Sequence, residues 1–440
     1  MLDTLFFIYS MMKENLRVGL GIVVWVAVVL GFVALGIYGF QRVNSRAVVS
    51  QEVVEDVNAG MLLPRVAAED MGLDSRILQR VDRIVEEYIA GGAMPGAVVG
   101  VVRGGAVVYE RAFGYREVVD DSVAMTVDTR FDLASLTKPI ATATSVMQLV
   151  ERGELRLNDA VSLYIEGFEA WQDAESGEKQ QIRVVDLMTH ASGLPPYVSY
   201  ERLVSEYADS LTIGKPELID YIAHCERRIE PRTESCYSCL NYIALAHIVE
   251  VVSEESFEEY VQSHIFEPLG MLNTCYLPSQ EYAMMCAPTT MDEYGDMLRG
   301  RVHDPLARRV MDGVSGNAGL FSTFDDIAIF ASAMLNGGSW QEAQILSTRA
   351  VEALLSEPIG LPGWDRTLAW DKFTNYSGVC GDLLSRSAVG HTGATGTSIV
   401  IDPELDIAIV ILTNRVHSTT ATTFNDLRSK IATVVASSIL

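Results

Sequence analysis

The stretch from Phe131 to Gly153 reads F-D-L-A-S-L-T-K-P-I-A-T-A-T-S-V-M-Q-L-V-E-R-G. It holds an S-x-x-K pair, Ser135 and Lys138, at the start of an apolar helical pattern. Pro139 lacks an N–H and fits only the first turn of a helix, which places Ser135 at the helix N-terminus. Free backbone N–H groups and the helix dipole favour an oxyanion there, and Lys138 follows one turn later on the same face. Since a desolvated lysine can take the proton of a hydroxyl, the pair is a candidate nucleophile and base.

The S-x-x-K pattern by itself is weak, because it also occurs at Ser10 with Lys13 and at Ser176 with Lys179. The first of these pairs lies beside a long apolar segment, and the second lies in a polar run that contains a glycine. Without further motifs, Ser135 is equally well explained as a helix cap. Only Ser135 opens a helix with an apolar side, formed by Ile140, Ala143, Val146, Met147 and Val150.

The composition limits the classes of function. With 440 residues the chain is long enough for a large core or two lobes, and its net charge of −25 argues against a nucleic-acid partner. All six cysteines follow the apolar segment near the N-terminus, which fits a disulfide-permissive compartment. Cys236 and Cys239 form a lone C-x-x-C, either a redox pair or two ordinary thiols. Their spacing predicts no metal site, and no motif calls for a cofactor.

Residues 18–40 contain no charged side chain. At ~1.5 Å per residue these 23 residues span about 34 Å, enough for a hydrocarbon layer of ~30 Å. The segment predicts an uncleaved membrane anchor, with a cleaved signal peptide as the alternative. Two basic residues precede the span (Lys13, Arg17) and two follow it (Arg42, Arg46), so the charges do not orient it.

The remaining pattern predicts an α/β fold of the α+β type. We expect residues 1–45 to hold the anchor, 46–74 to be a linker, and 75–440 to form one hydrolase domain. An antiparallel sheet is expected from both ends of the chain, residues 75–134 and 385–440, with a mostly helical lobe of residues 135–384 inserted. The predicted strands are 97–103, 106–113, 387–392, 397–401 and 407–412, the first two joined at Gly104-Gly105. The predicted helices include one capped by Ser75, and 216–223, 240–252, 257–265, 324–335 and 424–437.

Two further motifs follow the S-x-x-K pair. Tyr237 begins Y-S-C-L-N-Y, and His391 begins H-T-G within G-H-T-G-A-T-G-T-S-I-V-I-D-P-E. Flanking text includes D-L-M-T-H-A-S-G-L-P from Asp186 and G-N-A-G-L-F-S-T from Gly316. From Leu73 to the C-terminus, this order resembles the serine β-lactamase and penicillin-binding-protein superfamily. It is most similar to the class C-like branch, which includes D-alanyl-D-alanine carboxypeptidases, D-aminopeptidases and esterases.

The resemblance implies a role for each motif. Ser135 would attack the substrate carbonyl and become acylated, Lys138 would take its proton, and Tyr237 would relay a proton to the leaving group. A phenol titrates near ~10, so Tyr237 needs a neighbouring cation to be anionic at pH 7. The backbone N–H groups of Ser135 and Ala394 would form an oxyanion hole.

The resemblance also implies a substrate-binding strand edge at His391, Thr392 and Gly393. The first two side chains would face a substrate carboxylate. An unperturbed histidine is mostly neutral above pH 6.5, so we expect carboxylate substrates to bind better below that pH. Cys239 stands where the family has Asn or Asp, and its thiol bonds weakly. Ser238 or Asn241 would have to compensate.

Each of these residues also has a structural explanation. Tyr237 suits a buried aromatic that anchors the following helix, and His391 suits a strand-end histidine. His190 and Asn317 are interpreted as loop-bracing groups. Trp364 and Trp370 fit either a pocket lining or ordinary packing.

We therefore predict a membrane-anchored serine hydrolase that cleaves an amide or ester through an acyl-enzyme. The expected partners are small peptides, β-lactams or esters, with cell-wall stem peptides as the first choice. The catalytic domain is expected on the periplasmic or extracytoplasmic side of a single-pass anchor. An esterase of the same fold and a catalytically weakened recognition module, suggested by Cys239, remain as alternatives.

Overall fold

A computed structural model describes residues 62–119, 122–210, 212–227, 229–358, 366–372, 378–417 and 424–440. The predicted membrane span and Trp364 lie outside these residues. Among the helices of the described part, none is long and apolar enough to cross a bilayer. Residues 63–440 form one compact unit, which takes in residues 63–74 that the sequence analysis assigns to a linker.

The principal sheet is antiparallel and joins both ends of the chain. Its strand order is β10-β11-β12-β1-β2-β3, so the last strand lies beside the first and Val99 pairs with Ile411. The prediction of a mixed α/β fold with an antiparallel sheet built from both chain ends is confirmed. The strands are β1 (Gly96–Arg103), β2 (Ala106–Glu117), β3 (Val123–Ala124), β4 (Phe131–Asp132), β5 (Trp171–Gln172), β6 (Lys179–Gln180), β7 (Phe321–Ser322), β8 (Ser339–Trp340), β9 (Ala343–Gln344), β10 (Val389–Thr392), β11 (Ser398–Asp402) and β12 (Ile407–Thr413).

Helices cover the sheet and fill the middle of the chain. The α-helices are Ser75–Leu78, Arg80–Ala90, Thr144–Glu151, Val184–Met188, Tyr200–Glu206, Lys215–His224, Cys239–Ser253, Phe257–Val261, Glu267–Leu269, Gln280–Met284, Pro305–Arg309, Phe324–Leu335, Thr348–Leu355 and Asn425–Ser437. Short 3₁₀ turns occur at Ala68–Met71, Ala134–Leu136, Val161–Leu163 and Arg415–His417, and π turns occur at Lys138–Ala143 and Gln262–Phe266.

Local chemistry explains the first hairpin and the first helix. Gly104 and Gly105 both have positive φ, 57° and 71°, as the tight turn between β1 and β2 requires. The helix that follows the linker is capped by Asp74, whose side chain accepts the N–H of Arg76. The expected cap at Ser75 is therefore wrong by one residue, and the helix is broken once, at Gln79.

Helices pack on both faces of the sheet. The terminal helices Arg80–Ala90 and Asn425–Ser437 share one apolar core with β1 and β12. On the other face, Phe324–Leu335 lies against β1 and β12. An added Cβ at Gly100 would stand 2.1 Å from the Phe324 ring, so this glycine lets the helix approach the sheet. These packed layers hold the edge strand β10 in place. They therefore also fix the positions of His391 and Thr392, which belong to that strand.

A separate two-stranded ladder joins the segment before Ser135 to the inserted region. β4, which precedes Ser135, pairs with β7, where Phe131 lies opposite Ser322. The backbone N–H of Leu133 also donates to the carbonyl of Leu320 at 2.9 Å. This ladder sets the position of the nucleophile turn beside β10.

Candidate active site

The nucleophile lies in an irregular turn. Ala134–Leu136 is a 3₁₀ turn, Lys138–Ala143 is a π turn, and a regular α-helix begins only at Thr144. The expected continuous helix is therefore wrong in its first two turns. Pro139 supplies the physical reason, because it cannot donate to a carbonyl one turn back. π turns of this kind are frequent at functional sites.

Lys138 holds the centre of the site and has no exposed surface. Its Nζ donates to Ser135 Oγ at 2.9 Å and to the carbonyl of Asn317 at 2.9 Å, and it lies 3.6 Å from Cys239 Sγ. Burial lowers the pKa of Lys138, but its electrostatic interactions with the Cys239 thiol and the Tyr237 phenol, together with a hydrogen bond to Tyr237, outweigh burial and raise the pKa. Lys138 is therefore an ammonium in the resting site. Its role as the acceptor of the serine proton stays a prediction and requires that it first lose a proton.

Tyr237 faces the same cleft. Its side chain is half-buried, and Lys138 Nζ lies 5.0 Å from the centre of its ring. The guanidinium carbon of Arg366 lies 5.6 Å from that centre, and the imidazole of His190 stacks at 4.4 Å. The phenol is therefore not buried in the helix interior, and two cations lie against its ring.

His190 braces the segment that carries Tyr237, as the sequence suggests. It has a φ of 59°, and its Nδ1 lies 3.1 Å from both the N–H of Ser238 and the amide nitrogen of Asn241. Ser192 Oγ donates to Asn241 Oδ1 at 2.6 Å, and Ser238 Oγ donates to the carbonyl of Pro195. Because these bonds engage both Ser238 and Asn241 away from Lys138, neither residue compensates for the thiol of Cys239. The side chain of Asn317 likewise accepts from Ser315 within its own loop.

The strand edge that begins at His391 packs against the turn that carries Ser135. A Cβ added at Gly393 would stand 2.2 Å from Thr397 Oγ1 and 2.6 Å from the carbonyl of Leu133, so only glycine allows the approach. The backbone N–H of Ala394 has no acceptor among the described residues, and its carbonyl accepts from Arg415 Nε at 3.3 Å. The N–H is thus available as an oxyanion donor.

The cleft has a volume of about 390 Å³ and contains every predicted site residue except buried Lys138. Its lining residues are Ser135, Tyr197, Tyr237, Cys239, Asp304, Arg366, Asp371, His391, Thr392, Gly393, Ala394, Arg415 and Arg428. Trp370 is fully buried and packs in the core instead. The six cysteines are unpaired thiols, and no metal-binding cluster occurs within the described ranges.

The sequence motifs did not predict the three arginines of this cleft. Arg366 pairs with Asp371 at 3.6 Å, next to β10. Arg428 donates to the carbonyls of Gly396 and Thr397 at 2.9 and 3.2 Å. Burial, and then the charge of Arg415, lower the pKa of Arg428 to about 9. A signal existed only for Arg428, which lies three residues before Ile431 on the apolar stripe of the last helix.

His391 is neutral in this environment. It is buried, and burial together with the charges of Lys138 and Arg366 holds its pKa well below 6.5. The expectation that His391 gains charge just below pH 6.5 is therefore wrong. Positive charge for a substrate carboxylate is supplied in the cleft by the arginines instead.

A serine in a helical turn, hydrogen-bonded to a buried lysine beside a phenol and a strand edge, is an arrangement suited to acyl transfer through a serine nucleophile. The Beta-lactamase family model matches residues 81–432. The chain belongs to this family and is a serine hydrolase related to β-lactamases and penicillin-binding proteins.

Two relatives resemble most of the chain. The N-acetylmuramyl-L-alanine amidase of Bacillus subtilis is 32% identical over 393 residues, which cover 82% of this chain and 86% of the relative. A Salmonella gallinarum protein, provisionally named a D-alanyl-D-alanine carboxypeptidase, is 32% identical over 386 residues, which cover 82% and 88%.

Solved structures share the fold. EstCE1, described as a hydrolase with promiscuous acyltransferase activity, superposes with a TM-score of 0.65 at 22% identity, covering 82% of this chain and 98% of that one. The class C β-lactamase of Rhodobacter sphaeroides superposes with a TM-score of 0.58 at 21% identity, covering 80% and 97%. At these identities the likeness shows the fold alone.

We expect the His391 imidazole not to titrate through pH 6.5, because its burial and two neighbouring cations keep it neutral on both sides of that pH. The measurement is an NMR titration of protein labelled with ¹³C-histidine, with the His391 signals assigned by their loss in His391→Gln. Free histidine in the same buffers is the reference. A His391 midpoint near 6.5 would contradict the neutral state.

Proposed function

We propose that this serine hydrolase cleaves amide bonds of cell-wall stem peptides through an acyl-enzyme at Ser135. The observation that carries the proposal is the 2.9 Å hydrogen bond from Lys138 Nζ to Ser135 Oγ, in a cleft that also holds Tyr237 and the N–H of Ala394. Nucleophile, proton-transfer groups and oxyanion donor therefore surround one volume, as acyl transfer requires.

The reaction follows from these positions. The pair of Lys138 and Tyr237 first loses one proton to solvent. Ser135 Oγ then attacks the substrate carbonyl and passes its proton to that pair. The N–H groups of Ser135 and Ala394 stabilise the oxyanion, a contribution of ~10²–10³ in turnover for each such donor. The pair then protonates the leaving amine as the carbonyl re-forms. Water attacks the acyl-enzyme in the second half and releases Ser135.

The charges of the cleft support a carboxylate-bearing peptide. Arg366 lies beside Tyr237 and Arg415 beside Ala394, and both line the cleft. Arginine recognises planar carboxylates well. The names of the two relatives, an amidase and a carboxypeptidase of cell-wall chemistry, support the same class of substrate.

An esterase is the second candidate, favoured by one specific feature. Cys239 provides a weakly bonding thiol 3.6 Å from Lys138, where the family has an amide or carboxylate that contacts the substrate amide. An ester has a better leaving group than an amide, so its cleavage needs less stabilisation from the groups around it. Cleavage of an ester therefore depends less on the contact made at position 239.

We also propose that residues 18–40 anchor the protein in the cytoplasmic membrane with the catalytic domain outside. The uncharged length of that segment and the cell-wall substrate support this topology. The segment has no bearing on the chemistry of the cleft, so anchoring and catalysis can be tested separately.

Ser135→Ala should abolish covalent labelling by a fluorescent penicillin, because the alkoxide that opens the β-lactam is lost. Ser176→Ala is the matched control, since Ser176 begins another S-x-x-K pattern but lies exposed in a polar hairpin. In-gel fluorescence is the measurement. Labelling that survives Ser135→Ala would overturn the assignment. Absence of both labelling and p-nitrophenyl acetate cleavage in the unmodified protein would favour the recognition module.

Cys239→Asn should raise the acylation rate by the same penicillin about tenfold. An amide oxygen can accept from Lys138 while its N–H group donates to the substrate carbonyl, and hydrogen bonds to a charged group contribute ~1.5–3 kcal/mol. Stopped-flow or timed gel labelling gives the rate. Cys236→Ser, which changes the other thiol of the C-x-x-C motif, should leave it unchanged. A rate no higher than that of Cys239→Ala would contradict the proposed contact.

Deleting residues 1–45 should move the protein from the membrane to the soluble fraction without altering p-nitrophenyl acetate turnover. Full-length protein in intact spheroplasts should be digested by added protease, because the domain faces outward. Immunoblots of fractions and of protease-treated cells provide the measurement, with a cytoplasmic enzyme as the lysis control. Full-length protein that is soluble or protease-protected would refute the topology.

A further inference from the structure

Asp132 lies three residues before the nucleophile and does not line the cleft. It is 2% exposed and belongs to β4, where it pairs with Phe321. The mechanism above gives it no role, although a buried carboxylate is costly unless its charge is used.

Both carboxylate oxygens of Asp132 accept backbone N–H groups. Oδ1 accepts from Ala134 at 2.8 Å, and Oδ2 accepts from His303 at 2.7 Å. The carbonyl of Asp132 also accepts from Thr395 Oγ1 at 2.8 Å, in the turn that follows Ala394. One residue thus ties together the nucleophile turn, the loop of Asp304 and the turn that carries the oxyanion donor.

The bond to Ala134 holds a strained backbone. Ala134 has a φ of 47°, a left-handed conformation that costs a residue with a Cβ about 1–2 kcal/mol. Its N–H is the group that Asp132 Oδ1 captures, and the next residue is Ser135. Relaxation of this turn would therefore redirect both the hydroxyl and the N–H of Ser135.

We propose that Asp132 is a positioning residue whose carboxylate keeps Ala134 in the left-handed turn and so aims Ser135 at the cleft. The inference rests on the proposed acylation of Ser135. Asp132 acts through the backbone and touches no substrate. When the carboxyl is protonated, the oxygen that carries the proton becomes a donor facing an N–H donor, and the turn loses a restraint.

The surroundings of Asp132 place its protonation, and with it the loss of this backbone restraint, close to physiological pH. Burial raises the pKa of Asp132 to about 6, and the backbone donors of His303 and Ala134 oppose the shift. Asp304 raises the pKa further and Arg308 lowers it. Among the described residues, the thiol of Cys286 also interacts electrostatically with Asp132, whereas His303 contacts it through the backbone N–H.

The sign of the effect separates positioning from stability. Because the folded-state pKa lies above the value of ~3.9 for an unfolded aspartate, the folded protein binds this proton more tightly. The contribution of Asp132 to stability is therefore greatest at low pH and is lost as pH rises through about 6. Activity is expected to change in the opposite direction and to fall as pH drops below about 6.

The test uses p-nitrophenyl acetate hydrolysis by the full chain between pH 4.5 and 8. Wild-type kcat should fall on the acid side with a midpoint near 6. Asp132→Asn should lower kcat ten- to hundredfold at pH 7.5 with KM within threefold, and its acid limb should vanish. The matched control is Asp326→Asn, since burial raises the pKa of Asp326 to about 7 and it accepts the N–H of Asn273, away from Ser135. This control should keep the acid limb.

A second substitution tests the backbone directly. Glycine adopts the left-handed conformation without strain, so Ala134→Gly should restore at least part of the kcat lost in Asp132→Asn. If Asp132→Asn does not fold, Ala134→Gly alone should flatten the acid limb of the wild type. If the acid limb of the kcat profile is unchanged in either variant, or if the double variant regains no kcat, the positioning role is overturned. The proposed chemistry at Ser135 is not affected by that outcome. If wild type neither hydrolyses the ester nor reacts with penicillin, the proposed function falls as well.

Discussion

The buried ammonium of Lys138 is the constraint on which the site depends. A cation with no exposed surface must be surrounded by acceptors, because an unmatched buried charge is very costly. Those acceptors come from distant parts of the chain: Ser135 Oγ, the carbonyl of Asn317 and the thiol of Cys239. Satisfying the lysine therefore brings the turn of Ser135, the loop of Asn317 and the segment of Tyr237 and Cys239 together around one cleft.

The sheet provides the other half of the site. Since β12 lies between β11 and β1, the strand edge at His391 is held in a layer made from both ends of the chain. Gly393 then packs on the carbonyl of Leu133, where a side chain would collide. The turn that follows His391 and the turn that carries Ser135 therefore meet through backbone contact. Arg428 holds the first of these turns by donating to the carbonyls of Gly396 and Thr397.

Sequence patterns predicted the repeating elements and the motif residues, because period and turn chemistry are local. The Gly104-Gly105 hairpin, the strands near both ends and the helix Phe324–Leu335 all follow from such patterns. The 3₁₀ and π turns around Ser135 were not predicted, since they keep nearly the same apolar spacing as an α-helix. Helical geometry alone could have excluded Asn241 as a substitute for Cys239, because residues two apart do not share a face.

Environment was the least predictable part of the site. The neutral state of His391 arises from burial beside Lys138 and Arg366, and no local pattern reports that juxtaposition. Arg366 and Arg415 reach the cleft from segments without a recognisable motif. No motif singles out Asp132, although its two oxygens bind N–H groups that are far apart in sequence.

The pairing of the chain's two ends has a consequence for biosynthesis. Leu73 bridges to Ile439, and the N–H of Leu440 donates to the carbonyl of Gly72 at 3.0 Å. β1 likewise cannot acquire its partner β12 until the residues between the two strands have left the ribosome. Long-range pairing of this kind closes late and slowly. The domain can therefore close only after the segment that carries β12 has been synthesised.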